Sequence, residues 1–255
     1  MWLVVRHQKI MSMLDAQHRV STDTLAEELD VSRETVRRDL LELESAGRIK
    51  RVHGGAILPH PAPEEPFKER MNRNLREKQA IAKRAVSLFK PGQCVFVDAG
   101  TTTSVFAKEL VKVPDITVVT NSIDIISTIR HSDHKLDVVL LGGRVISDVP
   151  GTYGELTMSE MMRFKADVAV MSPVALDSVN GAANFDLHEA EIARAMIAQS
   201  EELMILADST KIGTTSRIQY CSSDQIDTLV TSSNVSQDEI TAFTQNGVKT
   251  VITVS

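Results

Sequence analysis

Apolar positions repeat at two different periods along this chain, and the change of period divides it. Val36, Leu40 and Leu43 recur at spacings of four and three, which puts them on one buried face of a helix. Ser32, just ahead, is a helix cap whose hydroxyl accepts from the free amides of the first turn. Upstream, residues 6–17 read as a helix with Ile10, Met13 and Leu14 on one side. Behind the capping cluster Ser21-Thr22-Asp23, Leu25, Ala26 and Leu29 make a short second helix, and Asp30-Val31-Ser32 turns tightly into the third. Three short helices joined this way describe a helix-turn-helix unit. After Gly47, residues 48–53 and 54–57 read as two short strands around a turn, a basic wing able to lie along phosphates.

Residues 59–66 carry four prolines in eight positions and read as an extended, semi-rigid linker. This predicts a small domain over 1–58, the linker, and a larger domain over 67–255. Residues 67–89 look helical, with Arg70, Arg73, Arg76, Lys78, Lys83 and Arg84 giving a basic face. That face reads as solvated, with a second DNA contact as the alternative. Beyond Pro91-Gly92 the period shortens. Strand-like runs at 94–98, 116–120, 136–141, 167–172, 203–207, 228–231 and 250–254 alternate with helix-like stretches at 103–111, 123–129, 155–164, 188–200 and 237–246. Short buried strands alternating with helices predict an α/β domain, its mostly parallel sheet covered on both faces.

Length and composition agree with two domains: 255 residues, 42% hydrophobic and 24% charged. No apolar run approaches the roughly 18 residues needed to cross a bilayer. The opening apolar stretch is short and runs straight into Arg6, unlike a signal-peptide core. With only Cys94 and Cys221, reduced thiols in a cytoplasmic protein are expected. The net charge of −6 conceals an asymmetry. Residues 1–90 hold 17 Lys and Arg against 13 Asp and Glu, whereas 91–255 hold 11 against 21. A basic front on an acidic chain points to a nucleic-acid-facing part. The front is only mildly basic, so more than one DNA-binding head is expected, in a homo-oligomer.

Two sets of residues carry candidate chemistry. The leading turns of the third helix offer Arg33, Thr35, Arg37 and Arg38 while its back is anchored in a core, which suits the major groove of double-stranded DNA. Ser32 opens that helix, and Lys50, Arg51 and His53 would follow the DNA backbone. The second set collects where the predicted strands end, as ligand sites of open α/β sheets do. Asp98-Ala99-Gly100-Thr101-Thr102-Thr103 leads into a helix, where hydroxyls and free amides suit a phosphate. Asn121 follows the next strand, Gly142-Gly143 the third, and Asp208-Ser209-Thr210-Lys211 the fifth. The stretch 184–189 offers further hydroxyl ligands. The seven histidines show no metal-ligand spacing with the cysteines, so neither a metal nor a cofactor is expected.

Ser32-Arg33-Glu34-Thr35-Val36-Arg37-Arg38-Asp39-Leu40, followed by Arg51-Val52-His53-Gly54-Gly55-Ala56, resembles the N-terminal signature of the DeoR family of bacterial transcriptional regulators. The strand-end stations extend that resemblance from residue 6 to about residue 230. It implies a winged helix-turn-helix ahead of a sensor domain similar in fold to ribose-5-phosphate isomerase and the coenzyme A transferases. Carried over by position, the implied contacts to a phosphorylated sugar or related metabolite are Asp98, Gly100, Thr101, Thr102, Asn121, Gly142, Gly143, Asp208 and Lys211. The chain departs from the family pattern at Thr210 and Ile212, where many members have a serine and an aromatic. It also lacks the glycines often found across 171–175. The expected function is a regulator without enzyme activity, a repressor of a carbohydrate-use operon released by a phosphorylated sugar. The alternatives are an activator, or a sugar-phosphate isomerase-like enzyme with an appended DNA-binding domain.

Overall fold

The computed structural model describes residues 3–17, 19–46, 48–57, 65–133 and 136–255, with only the backbone of 15–17. It forms two compact units, 1–64 and 65–255. Most of the proline-rich linker lies outside the described residues, as do His18, His60 and His134.

The first unit runs α1 (Leu3–Gln17), β1 (Arg19–Ser21), α2 (Thr22–Leu29), α3 (Arg33–Ser45), β2 (Lys50–Val52) and β3 (Gly55–Ile57). Ser21 and Ser32 cap α2 and α3, their hydroxyls accepting from the amides of Thr24 and Thr35 at 3.0 and 3.1 Å. Ile10, Leu14, Leu25, Leu29, Val36, Leu40 and Leu43 pack with Val20, Ile49 and Ala56 into one core. The wing is three-stranded rather than two-stranded, in the order β1-β3-β2. The added strand, β1, buries only Val20 of its three residues and so leaves no alternating pattern in the sequence. Two glycines allow the wing to close. Gly54 takes φ +78° in the turn, and a Cβ on Gly55 would stand 2.2 Å from the carbonyl oxygen of Val20 across the β1–β3 pair.

The second unit opens with α4 (Phe67–Asn72) and α5 (Leu75–Val86). A single helix over 67–89 was expected, but Asn74 adopts φ 52° and breaks it. Asn tolerates the left-handed region, and its amide is held by Asp208 (3.1 Å) and Thr210 (3.3 Å). Then follow β4 (Cys94–Val97), α6 (Thr101–Leu110), β5 (Thr117–Thr120), α7 (Ile123–Arg130), β6 (Asp137–Leu140), α8 (Glu155–Met161) and β7 (Ala166–Met171). The chain continues with β8 (Ala175–Asp177), β9 (Gly181–Asn184), α9 (Leu187–Ala198), β10 (Ser200–Ala207), β11 (Ile218–Cys221), β12 (Thr228–Ser232), α10 (Gln237–Gln245) and β13 (Thr250–Val254).

Seven strands form a parallel sheet in the order β13-β12-β10-β7-β4-β5-β6, matching the seven expected runs. Alternate side chains serve opposite faces. Val95, Val97, Val168, Val170 and Leu206 pack against Ile81, Ala85, Phe106 and Ile125. Phe96, Ala169, Met171, Leu203 and Ile205 pack against Met161, Ala190, Met196 and Phe243. Burial on both faces explains why these strands read as continuous apolar runs. A small antiparallel sheet, β11-β9-β8, was not foreseen. It turns at Gly181 (φ +73°), where a Cβ would lie 2.1 Å from the Cys221 carbonyl oxygen.

Candidate functional site

In the first unit the arginines of α3 face outward. Arg33 and Arg37 side chains are 67% and 66% exposed, and Arg38 is exposed beside them. Thr35 is half-buried, its hydroxyl 2.9 Å from that of the capping Ser32. On the wing Lys50, Arg51 and His53 are exposed. Three of these cations lie against acids: Arg33 Nε is 2.7 Å from Asp23, Arg37 is 3.7 Å from Glu34, and Arg51 Nε is 3.2 Å from Glu44. Exposed pairs of this kind contribute about 0–1 kcal/mol, so phosphates can displace the carboxylates at little cost.

What holds the face in place was not visible in the sequence. Asp39, on α3 and buried, accepts from Arg6 of α1 through both oxygens, at 2.7 and 2.8 Å. His7 Nε2 lies 3.6 Å from the same carboxylate. The aspartate of the signature therefore anchors the helix inward while its neighbours, Arg37 and Arg38, point away.

In the second unit β4 and β7 adjoin, and the chain proceeds outward from each, through β5 to β6 and through β10 and β12 to β13. The strand order reverses between them, and this is where open α/β sheets bind ligands. Asp98 follows β4, is buried, and accepts the Ser172 amide across the reversal at 3.1 Å. Burial pushes its carboxyl up to about 7, against the pull of that amide, of the Thr103 hydroxyl and of Lys211. Its other oxygen, Oδ1, is buried without a hydrogen-bond partner. From the end of β10, Lys211 donates to Ser172 Oγ at 3.0 Å and to the Pro173 carbonyl. Asp208 is buried and caps the turn with Thr210. Burial pushes its carboxyl up, but Lys211, the Thr210 hydroxyl, Lys78 and Asn74 together hold it below the ordinary value.

Lys78 joins this group. Only 2% exposed, it donates to the Thr101 hydroxyl at 3.1 Å and to the Arg70 carbonyl. Burial pulls its ammonium down to about 8, and Lys211 adds to the effect. Among the described residues no carboxylate lies within ion-pair distance of Lys78. Thr101 sits at the first turn of α6, which Gly100 opens without a side-chain cap. A buried ammonium, a hydroxyl, free helix amides and a second lysine make a site for an anion.

The remaining candidates are placed differently. Gly100 has an extended backbone, and its open side is filled by Thr103 Oγ1, which a Cβ would meet at 3.1 Å. Thr102 is buried with its hydroxyl unpartnered. Asn121, after β5, donates to the Thr152 carbonyl at 3.0 Å and keeps Oδ1 unpartnered. Gly142 and Gly143 do not join the anion group. The Gly142 amide donates to Glu160 of α8, and a Cβ on Gly143 would lie 2.1 Å from Thr157 Oγ1. Their glycine character admits α8 to the sheet. The two glycines follow the edge strand β6, two strand spacings from β4 and the Thr101 beyond it, about 10 Å at ~4.8 Å each. In the stretch 184–189, Asp186 caps α9 and Asn184 Oδ1 accepts the Val174 amide at 3.1 Å.

Residues 6–62 match the DeoR-like helix-turn-helix domain, and residues 73–233 match the DeoR C terminal sensor domain. The glycerol-3-phosphate regulon repressor of Escherichia coli strain K12 is 31% identical over 226 residues, 89% of each chain. The transcriptional repressor GlcR of Bacillus subtilis strain 168 is 33% identical over 245 residues, 96% of this chain and 94% of that one. The chain belongs to the DeoR family. Another of its DeoR relatives, the regulator GolR of Listeria innocua, is 33% identical over 91% of each chain. Among solved structures, ribose 5-phosphate isomerase A of Methanocaldococcus jannaschii overlaps 55% of each chain at 16% identity with a TM-score of 0.41. As in any DeoR regulator, a DNA-binding head and a sensor share one chain. No helix among the described residues is long and apolar enough to cross a membrane.

Ser172 has no sequence signal, and Lys78, expected on the solvated basic face of 67–89, is buried instead, for which the sequence carries a sign. Lys78 shares with Ile81, Ala82 and Ala85 the i, i+3, i+4, i+7 stripe that faces the core, whereas Arg76, Lys83 and Arg84 stay on the wet side.

Proposed function

We propose that this chain represses a carbohydrate-use operon and is released from DNA by a phosphorylated sugar or related metabolite. Residues 1–58 act as the DNA-binding head, 59–66 as the linker and 67–255 as the sensor. The head enters the major groove with the start of α3, where Arg33, Thr35, Arg37 and Arg38 meet bases and phosphates beside Ser32. Lys50, Arg51 and His53 follow the backbone along the wing. A homo-oligomer sets two heads in successive grooves. Effector binding releases DNA through its different affinity for the arrangements that do and do not fit the operator.

One observation carries the effector reading: Lys78 is buried beside the uncapped start of α6 with a second lysine, Lys211, close by, and the single carboxylate that acts on the two, Asp208, lies beyond ion-pair distance of Lys78. Two buried or half-buried ammonium groups sharing one carboxylate leave positive charge uncompensated, and a phosphate offsets it. Thr101 and the first amides of α6 complete the phosphate seat. Asp98, Thr102, Asn121 and Asp208 remain candidates for the hydroxyl-bearing part. The relatives named for glycerol-3-phosphate regulons support a ligand of this class. A thermal-shift screen of phosphorylated sugars and polyols tests the reading. A ligand at 100 times its Kd adds about 2.7 kcal/mol, so a hit raises the melting temperature by several degrees. No shift with any phosphorylated compound would remove the sensor function.

The Asp98 carboxyl, poised near 7, favours a second reading in which the site turns over its sugar phosphate. Incubating purified protein with the compounds that bind it separates the two readings. Binding without turnover leaves the sensor; turnover supports the enzyme.

A further inference from the structure

The positive charge of residues 1–90 does not belong to the DNA-binding head. Residues 1–66 carry 9 Lys and Arg against 11 Asp and Glu, whereas 67–90 carry 8 against 2. The excess therefore sits on α4, α5 and the turn that follows. Three of those eight cations are engaged within the fold: Lys78 in the anion site, Arg70 on the Glu65 carbonyl and Arg73 on the Glu65 carboxylate. Arg76, Lys83 and Arg84 are exposed on the side of α5 away from Ile81, Ala82 and Ala85. With Gln79, Ser87 and Val254 of β13 they line an open groove of about 500 Å³. Arg84 donates to the Ser87 hydroxyl at 2.8 Å, and among the described residues none of the three cations pairs with a carboxylate.

Residues 91–255 supply 21 acids, yet none of those described is set against this groove. Cations held together without counter-charges attract a polyanion from outside the chain. Duplex DNA is the polyanion within reach. From Ile57 at the end of β3 to Phe67 at the start of α4 the chain advances ten residues, at most about 35 Å and close to one turn of duplex. A head bound to DNA therefore keeps the start of the sensor within about a turn of the site it reads. Arg76 and Lys83 are about 10 Å apart along α5, so each can meet a different phosphate. We propose that Arg76, Lys83 and Arg84 grip the phosphate backbone beside the sequence read by α3. The sensor domain then adds affinity without sequence preference, because phosphate contacts position a protein and do not specify bases. The inference rests on the DNA-binding role of the head and adds to it a second, salt-sensitive contact.

The salt dependence of DNA binding by the full chain tests it, on a duplex selected by the wild-type protein and extended by two helical turns at each end. Arg76→Gln/Lys83→Gln/Arg84→Gln is compared with Lys108→Gln/Arg163→Gln/Lys165→Gln, which removes the same charge from exposed positions elsewhere on the sensor. Each phosphate contact contributes about 0.9 to the slope of log K against log salt. The α5 variant should lose about 2–3 per chain from that slope, and the control less than about 0.5. Lys83→Gln alone should lose about 0.9. The α5 variant should also keep the wild-type melting temperature and the wild-type ratio of affinities for selected and random duplex. An unchanged slope with selection retained removes the α5 contact and leaves the head's role intact. Equal losses in the two triple variants would also overturn the proposal. So would a fall in oligomeric mass on sedimentation, which would show the groove seated on the acids of a second copy. If wild-type protein shows no preference for the selected duplex, the reading by α3 falls, and the slopes still decide the α5 contact.

Discussion

Replacing Asp39 by alanine tests how the DNA-facing helix is held. The carboxylate is 2% exposed and its Arg6 partner 15%, with two bonds of 2.7 and 2.8 Å between them. Breaking a fully buried pair by removing one partner costs roughly 3–5 kcal/mol. Arg6 reaches some water, so the loss here is smaller, about 2–4 kcal/mol. At ~0.05–0.15 kcal/mol per residue, a unit of 64 residues has only about 3–10 kcal/mol in total. Hydrogen exchange on the full chain is the suitable assay, because peptides from α3 report the opening of the first unit and peptides from β4 and β7 do not. Protection of α3 amides is expected to fall by about 30- to 1,000-fold in Asp39→Ala, with sensor peptides unchanged. In a cycle with Arg6→Ala the two losses should overlap, leaving a coupling of about 1.5–3 kcal/mol. Unchanged α3 protection, or a coupling below about 0.5 kcal/mol, would refute the anchoring role.

Three further outcomes follow from the geometry. Gly55→Ala should destabilise the first unit by about 2 kcal/mol or more, since the new methyl meets the Val20 backbone; a urea titration reads the loss. Asp98 binds its proton more tightly folded than unfolded, so its contribution to stability is complete below about pH 4 and disappears as pH rises to about 7. Asp98→Asn should therefore stabilise the empty protein at pH 8, by at most about 4 kcal/mol, and much less at pH 4; equal effects at both pH values would contradict the buried carboxyl. Lys78 must be protonated to hold a phosphate, so calorimetric affinity for inorganic phosphate should weaken as pH rises beyond about 8, and Lys78→Met should abolish binding. An affinity that is flat between pH 7 and pH 9 would place the anion elsewhere.

The parts legible in the sequence were those whose cause is local. Ser21 and Ser32 mark helix starts because capping involves residues two or three apart. The seven parallel strands showed because burial on both faces leaves an uninterrupted apolar run. What escaped depends on distant partners or on permissive residues. The Arg6–Asp39 pair spans 33 positions. The break at Asn74 is held by Asp208 and Thr210, more than 130 residues away. Strand β9, Gly181–Asn184, carries two alanines and no β-branched residue, so it lacks the signal that revealed the main sheet. For the candidate site, position along the chain identified strand ends but not how far apart they lie. Gly142 and Gly143 therefore looked equivalent to Gly100, although they make room for α8 at the edge of the sheet.

The most direct test of the central claim is a fluorescence-anisotropy titration on duplexes selected by the wild-type protein from a random pool, comparing wild type with Arg37→Ala. If the start of α3 reads the major groove, the variant loses about 5- to 150-fold in affinity for the selected duplex, the equivalent of 1–3 kcal/mol, while random duplex is affected far less. Equal affinity of the two proteins for the selected duplex would contradict the account.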